Sequence, residues 1–202
     1  ADFERRKNGL DYTPDEVVVT IGATEALFTA LFGIIDPGDE VIVPVPAYVL
    51  YEQVINLCRG SFVPLETGDT AFQITRESLE AAITPKTKAI ILTSPNNPTG
   101  CIYTKETLDV IADVLRDKKI FVICDDVYSQ LVYTDEYRSF SSYREFRDRL
   151  IVIQSFAKPY AMTGWRVGYF MADLPVKQKL ETIHQYMVVS AASFVQPACV
   201  EA

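Results

Sequence analysis

Residues 155–169 read SFAKPYAMTGWRVGY and come directly after LIVIQ, an apolar run that is typical of a buried strand. Lys158 lies just past the end of that predicted strand, and Arg166 follows eight residues later. Desolvation at a strand end favours the neutral form of a lysine, which can attack a carbonyl and form a Schiff base. Arginine is a permanent cation whose planar fork suits a phosphate. The segment therefore predicts a site for a ligand that carries both an aldehyde and a phosphate.

Outward from this segment, apolar runs alternate with stretches whose apolar residues recur at helical spacing, as in GATEALFTALFGII at residues 22–35. Continuously apolar strands that alternate with helices are typical of a parallel sheet covered on both faces. The sequence thus predicts an α/β fold, a three-layer α/β/α domain around a mostly parallel sheet of about seven strands. The predicted strands are VVVT (17–20), VIVPVP (41–46), SFVPLE (61–66), KAIILTS (88–94), IFVICD (120–125), LIVIQS (150–155) and RVGYFMA (166–172).

Composition narrows the classes of function. The net charge is −8 over 202 residues without a basic stripe, which argues against nucleic-acid and membrane-surface partners. No apolar run is long enough to span a bilayer, and no signal peptide is recognised at the N-terminus. The four cysteines form no CxxC pair, and His184 is the single histidine. We therefore expect a reduced, cytoplasmic protein without a metal site, in which His184 is a packing residue.

Five predicted strands end in residues that carry chemistry, and in an open parallel sheet ligands bind outside the carboxyl ends of the strands. After the first strand, Gly22 opens a helix, and the free backbone N–H groups of Ala23 and Thr24 favour an anion. An ordinary tight turn explains the same residues equally well. Ser155 and Arg166 can complete a phosphate site, so we expect all of these residues to converge at one edge of the sheet.

The residues at the other strand ends are suited to bind an aromatic ring. An unpaired carboxylate is costly where Asp125 ends a buried strand, and a protonated pyridine nitrogen can pair with it; a helix cap or a salt bridge is the alternative. Asn97 and Tyr128 can bind a ring hydroxyl, although turn chemistry also accounts for Asn97. Tyr48 can stack on the ring or be an ordinary rim aromatic. Together with the aldehyde and the phosphate, these residues predict pyridoxal 5′-phosphate as the cofactor.

The chain also resembles the class I/II aminotransferases, the fold-type-I enzymes that use pyridoxal phosphate. The resemblance covers nearly the whole chain, and its most specific motif is the last of five. In order, the motifs are GATEAL (22–27), PVPAYVLYE (44–52), SPNNPTG (94–100), CDDVYSQL (124–131) and SFAKPYAMTGWRVGY (155–169). The resemblance implies transfer of an amino group between an L-amino acid and a 2-oxo acid.

The resemblance also implies roles for individual residues. Lys158 would form the Schiff base with the cofactor, and Asp125 would pair with the pyridinium nitrogen. Tyr128, the third catalytic residue, would bind the ring hydroxyl together with Asn97, while Tyr48 would stack on the ring. The phosphate would be held by Ala23, Thr24, Ser155 and Arg166. In this family the bond before the proline of the NPTG motif is often cis, which makes the Asn97–Pro98 bond a candidate.

The chain differs from the family pattern at two residues near the predicted site and in its length. Pro159 follows the lysine where a polar residue is more usual, and Asp126, which we interpret as solvated or structural, stands where glutamate is more common. Family members are longer and include an N-terminal arm and a C-terminal small domain. We therefore expect residues 1–202 to be one domain, the cofactor-binding large domain, of a protein that the resemblance implies is a homodimer.

Two other functions are compatible with the same residues. A carbon–sulfur β-lyase uses the same cofactor residues on the same fold. Some bacterial transcription regulators resemble an aminotransferase domain fused to a DNA-binding head, so a sensor module is the alternative outside enzymology.

Overall fold

The computed structural model describes residues 1–202 and contains one seven-stranded sheet, which confirms the predicted α/β fold. The strand order is β1-β7-β6-β5-β4-β2-β3. Six strands run in the same direction, and β7 runs antiparallel to both of its neighbours, β1 and β6. The strands are β1 (Val17–Thr20), β2 (Glu40–Val45), β3 (Ser61–Glu66), β4 (Thr87–Thr93), β5 (Phe121–Asp125), β6 (Leu150–Ser155) and β7 (Gly168–Ala172).

Seven helices accompany the sheet: α1 (Asp2–Asn8), α2 (Gly22–Ile34), α3 (Leu50–Leu57), α4 (Arg76–Ala82), α5 (Lys105–Leu115), α6 (Leu174–Val188) and α7 (Gln196–Glu201). Two of them begin at a threonine cap, because the side chain of Thr75 accepts a hydrogen bond from the backbone of Ser78 and that of Thr104 from Thr107. The long connection after β5 contains only short 3-10 turns.

The helical end of the chain is interrupted between α6 and α7, at residues 189–195. Pro197 lies in the first turn of α7, where a residue without a backbone N–H loses no helical hydrogen bond. The break itself begins at Val189, which has a left-handed φ of 68°.

Both faces of the sheet are buried, which explains why its strands are continuously apolar. Alternate residues of β6 point to opposite layers: Val152 belongs to the core under α4 and α5, whereas Ile151 belongs to the core under α2, α3 and α6. Each layer contains 22 buried residues, so neither face is left to solvent. No helix of the structure combines the length and the apolar character that crossing a membrane requires.

The carboxyl ends of β1, β2, β4, β5 and β6 lie at one edge of the sheet, because these strands run in the same direction. The antiparallel β7 begins at this edge, where Gly168 pairs with Thr20 on one side and Ser155 on the other. A Cβ atom on Gly168 would lie 2.7 Å from the Gln154 carbonyl oxygen and 2.8 Å from the Ala23 nitrogen. The glycine therefore permits the start of α2 to approach the ends of β6 and β7 closely.

Candidate active site

A cavity of about 240 Å³ lies at this edge of the sheet. The nine site residues that the sequence predicted all line it, although they come from segments far apart in the chain. They are Ala23, Thr24, Tyr48, Asn97, Asp125, Tyr128, Ser155, Lys158 and Arg166. The structure thus brings the whole predicted set together in one cavity.

One end of the cavity is suited to an anion. Helix α2 begins there at Gly22, and the first backbone N–H groups of a helix have no partner within the helix. A Cβ atom on Gly22 would lie 2.5 Å from Nη2 of Arg166, so the guanidinium packs directly on the glycine. Nη1 of Arg166 donates to the carbonyl oxygen of Thr163 at 3.1 Å, which fixes the cation beside the helix start. Free N–H groups and a fixed guanidinium together form a phosphate-binding arrangement.

Ser155 lies at the same end of the cavity. Its side chain accepts a hydrogen bond from the backbone N–H of Ala157 at 3.0 Å, and the residue is buried. Because that bond uses the oxygen as an acceptor, the hydroxyl proton stays available to donate to an anion. Gly22 itself has φ 74°, a left-handed conformation that glycine adopts without strain.

The buried carboxylate of Asp125 lies at another part of the cavity. Its Oδ2 atom accepts a hydrogen bond of 2.6 Å from the Tyr51 hydroxyl, whereas its Oδ1 atom is buried without any partner. Burial raises the pKa of Asp125 to about 6, while the hydrogen bond from Tyr51 and the charge of Lys158 oppose the rise. Near neutral pH this side chain is therefore largely an anion with one oxygen that lacks a donor.

Lys158, Tyr128 and Asn97 also line the cavity. The Nζ atom of Lys158 lies 5.4 Å from the centroid of the Tyr128 ring, and Nδ2 of Asn97 donates to the Tyr128 hydroxyl at 3.3 Å. The Asn97–Pro98 bond is cis, as expected. The desolvation expected for Lys158 is not found, because a turn after β6 carries the residue beyond the sheet and leaves it exposed.

Tyr48 lies at the rim of the cavity and is 42% exposed. Its ring packs edge to face against that of Tyr51, with the centroids 5.9 Å apart and an interplanar angle of 88°. Such contacts fix the orientation of an aromatic ring. The ring of Tyr48 is therefore held in place at the rim while part of it stays exposed.

Sequence reasoning missed two residues beside Asp125. Tyr51 is buried on α3 and Thr93 is buried at the end of β4, where it is in register with Asp125 of β5. Tyr51 recurs with Val54 and Ile55 at the spacing of the buried face of α3, a pattern that indicates a residue that only packs. The pattern gives no indication that its hydroxyl binds Asp125. Thr93 could have been found from the sequence, because it is a polar residue at the end of a buried strand.

Asp126, for which the sequence left a solvated or a structural role open, is only 3% exposed. Its Oδ2 atom accepts hydrogen bonds from the Ser139 hydroxyl at 2.6 Å and the Ser141 hydroxyl at 3.4 Å. Asp126 does not line the cavity and is a structural residue. His184 packs as expected, with its Nδ1 atom 3.2 Å from Oε1 of Glu25.

Replacing Asp126 by asparagine should stabilise the protein above neutral pH but not in acid. Burial, with smaller contributions from nearby acids, raises the pKa of Asp126 from 3.8 to about 7. Stability from this carboxyl is therefore fully present below pH 3.8 and is lost as the pH rises through about 7. Asparagine stays neutral and retains an oxygen that accepts from Ser139. We expect its thermal midpoint to exceed that of the wild type by about 5 °C at pH 8 and to match it in acid. Thermal unfolding followed by circular dichroism checks this, and an equal shift at both pH values would contradict it.

Comparison with known proteins identifies the family to which the sequence is similar. The sequence model of the family described as Aminotransferase class I and II matches residues 1–202. The aspartate aminotransferase of Thermotoga maritima is 40% identical over 193 residues, which are 95% of this chain and 51% of that protein. The aspartate/prephenate aminotransferase of Thermus thermophilus is 38% identical over 203 residues, covering 100% of this chain and 52% of that protein. The chain therefore spans about half the length of the curated relatives it matches.

Solved structures agree with the sequence matches. The Thermotoga maritima aspartate aminotransferase superposes with a TM-score of 0.95 at 38% identity, covering 99% of this chain and 54% of that chain. The Thermus thermophilus aspartate aminotransferase with maleate superposes with a TM-score of 0.94 at 37% identity, covering 100% of this chain and 53% of that chain. The arrangement of strands and helices is thus shared over the full length of this chain.

Proposed function

Because the chain belongs to the class I and II aminotransferase family, we propose that it is the cofactor-binding large domain of an aminotransferase. The reaction is the transfer of an amino group between an L-amino acid and a 2-oxo acid. One observation carries the proposal: a single cavity gathers an amine, a partnerless buried carboxylate oxygen and an arginine at a helix start. These three groups match the three functional parts of the family's cofactor.

The residues of the cavity fit pyridoxal 5′-phosphate, the cofactor of this family. The partnerless Oδ1 atom of Asp125 suits the protonated pyridine nitrogen, which is a donor with a positive charge. The phosphate suits Arg166 and the first N–H groups of α2, with Ser155 as a further donor. Lys158 is the amine available to bind the aldehyde carbon, and Tyr128 and Asn97 are positioned to bind the ring hydroxyl.

When bound, the cofactor supplies an electron sink for the charge that forms when a proton leaves the Cα atom of the amino acid. The chain's own residues do the remaining work. Arg166 and the start of α2 anchor the phosphate and so orient the ring. Asp125 keeps the ring nitrogen protonated through a charged hydrogen bond. The Nζ atom of Lys158 removes the Cα proton as a base and later donates a proton as an acid.

The whole protein is proposed to act as a homodimer in the cytoplasm, on amino acid and 2-oxo acid substrates and without nucleic-acid or membrane partners. Support for cytoplasmic location is limited to composition, namely an acidic chain whose cysteines are unpaired. Support for the dimer is the exposure of Tyr48, Lys158 and Arg166, because a partner subunit can exclude water from that side. No observation favours the β-lyase or the sensor module.

An amino-exchange assay tests the proposed function. The protein loaded with pyridoxal phosphate is given a panel of L-amino acids, including aspartate, together with a 2-oxo acid. We expect an amino acid to form from the added oxo acid, with no release of thiol from S-alkyl cysteine. Release of pyruvate and thiol would instead indicate the lyase. Binding of the cofactor with no exchange for any amino acid would contradict the transferase.

A further inference from the structure

Tyr51 is a buried polar residue of the cavity to which the proposed mechanism assigns no task. It is 2% exposed and lies in the first turn of α3, with its ring against Tyr48. A phenylalanine would fill the same apolar space. The hydroxyl therefore needs an explanation of its own, since burying it is costly unless it is hydrogen-bonded.

The Tyr51 hydroxyl contacts two residues of neighbouring strands. It donates to Oδ2 of Asp125 at 2.6 Å and lies 2.7 Å from Oγ1 of Thr93. Thr93 and Asp125 are register partners on β4 and β5, so their side chains leave the same face of the sheet. The three residues form one contact that links α3 to the carboxyl ends of two strands.

The direction of the two hydrogen bonds follows from counting protons. A tyrosine hydroxyl carries one proton, and the ionised Asp125 carboxylate can only accept. The Tyr51 proton therefore points to Asp125, and Thr93 must donate its proton to the Tyr51 oxygen. Both hydroxyls are oriented toward the carboxylate, and each bond polarises the next.

The result is a carboxylate with two unequal oxygens. Oδ2 is occupied by Tyr51, and Oδ1 is buried without a partner. Without the Tyr51 hydroxyl, the carboxyl group would lose the side-chain contact that distinguishes its oxygens. Rotation about its terminal bond is soft, so that contact matters for the direction in which Oδ1 accepts.

We propose that Tyr51 and Thr93 are positioning residues that hold the Asp125 carboxylate so that Oδ1 accepts from the ring nitrogen of the cofactor. The identity of the cofactor rests on the proposed function, whereas the orientation of the carboxylate does not. Tyr51 acts on the reaction only through Asp125. Removal of the Tyr51 hydroxyl must therefore change the ionisation of Asp125 even when no cofactor is bound and no reaction takes place.

The test replaces Tyr51 by phenylalanine and follows the Asp125 carboxyl carbon by NMR in cofactor-free protein, with the resonance assigned from its absence in Asp125→Asn. The Tyr51 hydrogen bond lowers the pKa of Asp125, so the titration midpoint should move to higher pH in Y51F. The dissociation constant for pyridoxal phosphate should rise about threefold near neutral pH, less than on loss of Asp125 itself. Thr93→Val should move both quantities in the same direction by less, and Thr93→Ser, which retains the hydroxyl, should restore them.

Tyr12→Phe is the matched control, because Tyr12 is a buried tyrosine that packs under Arg147, 3.9 Å from its ring centroid, and does not line the cavity. It should change neither measurement. An unchanged Asp125 titration in Y51F would overturn the proposal, and Thr93→Val answers the same question if Y51F does not fold. Failure of the wild type to bind pyridoxal phosphate would count against the proposed function alone, because the titration needs no cofactor.

Discussion

Lys158→Ala should abolish the covalent attachment of pyridoxal phosphate to the protein. Among the fifteen residues that line the cavity, Lys158 is the only lysine, so no other amine there can bind the aldehyde. Borohydride reduction of the wild type should fix one cofactor on Lys158, identified by digestion and mass spectrometry. The variant should carry none. Because the same Nζ atom is the proposed base, amino exchange should also fall by about 10²–10⁴-fold.

Lys105→Ala is the control for this experiment. Lys105 is an exposed lysine of α5 that pairs with Asp109 at 2.5 Å and does not line the cavity. Its replacement should leave both the label and the exchange rate unchanged. If label persisted in Lys158→Ala, or appeared on another lysine of the wild type, Lys158 would not be the residue that binds the cofactor. Added ethylamine provides a second check, since a small free amine should partly restore exchange to a chain that lacks only the base.

Asp125→Ala should slow removal of the Cα proton far more than it weakens binding of the cofactor. The carboxylate is proposed to keep the ring nitrogen positively charged, and that charge matters most when negative charge forms on the ring. Removing a preorganised charge of this kind costs about 10²–10³-fold in rate. Binding also depends on Arg166, the start of α2 and Lys158, so the dissociation constant should change by only about tenfold.

Single-turnover exchange of an α-deuterated amino acid separates the two effects, because it reports proton removal in protein already saturated with cofactor. Asp126→Asn is the matched control: it alters the adjacent buried acid, which faces Ser139 and Ser141 instead of the cavity. The control should exchange at nearly the wild-type rate. If Asp125→Ala lost affinity while saturated protein still exchanged at the wild-type rate, the electronic role of Asp125 would be refuted.

Much of the fold could be predicted from residue patterns, and the exceptions have physical causes. All seven strands were predicted, and the central ones were recognisable because a strand buried on both faces is mostly apolar, as in β6 with its six buried residues. The exposure of Lys158 depends on a turn after β6 that no pattern specifies.

The sequence by itself determined which chemistry is present and at which strand ends it stands. Parallel strands carry their terminal residues to one edge, so the gathering of Lys158, Asp125 and Asn97 followed from the order and direction of the strands. Arg166 reaches the same edge because β7 runs antiparallel and begins there. Only the tertiary structure decided the partners of these groups. Tyr51 is 74 residues from Asp125 and 42 from Thr93, and their contact depends on how α3 packs across two strands. The burial that raises the pKa of Asp125, and the oxygen left without a donor, arise from that packing, because desolvation depends on every neighbouring atom and not on the residue itself.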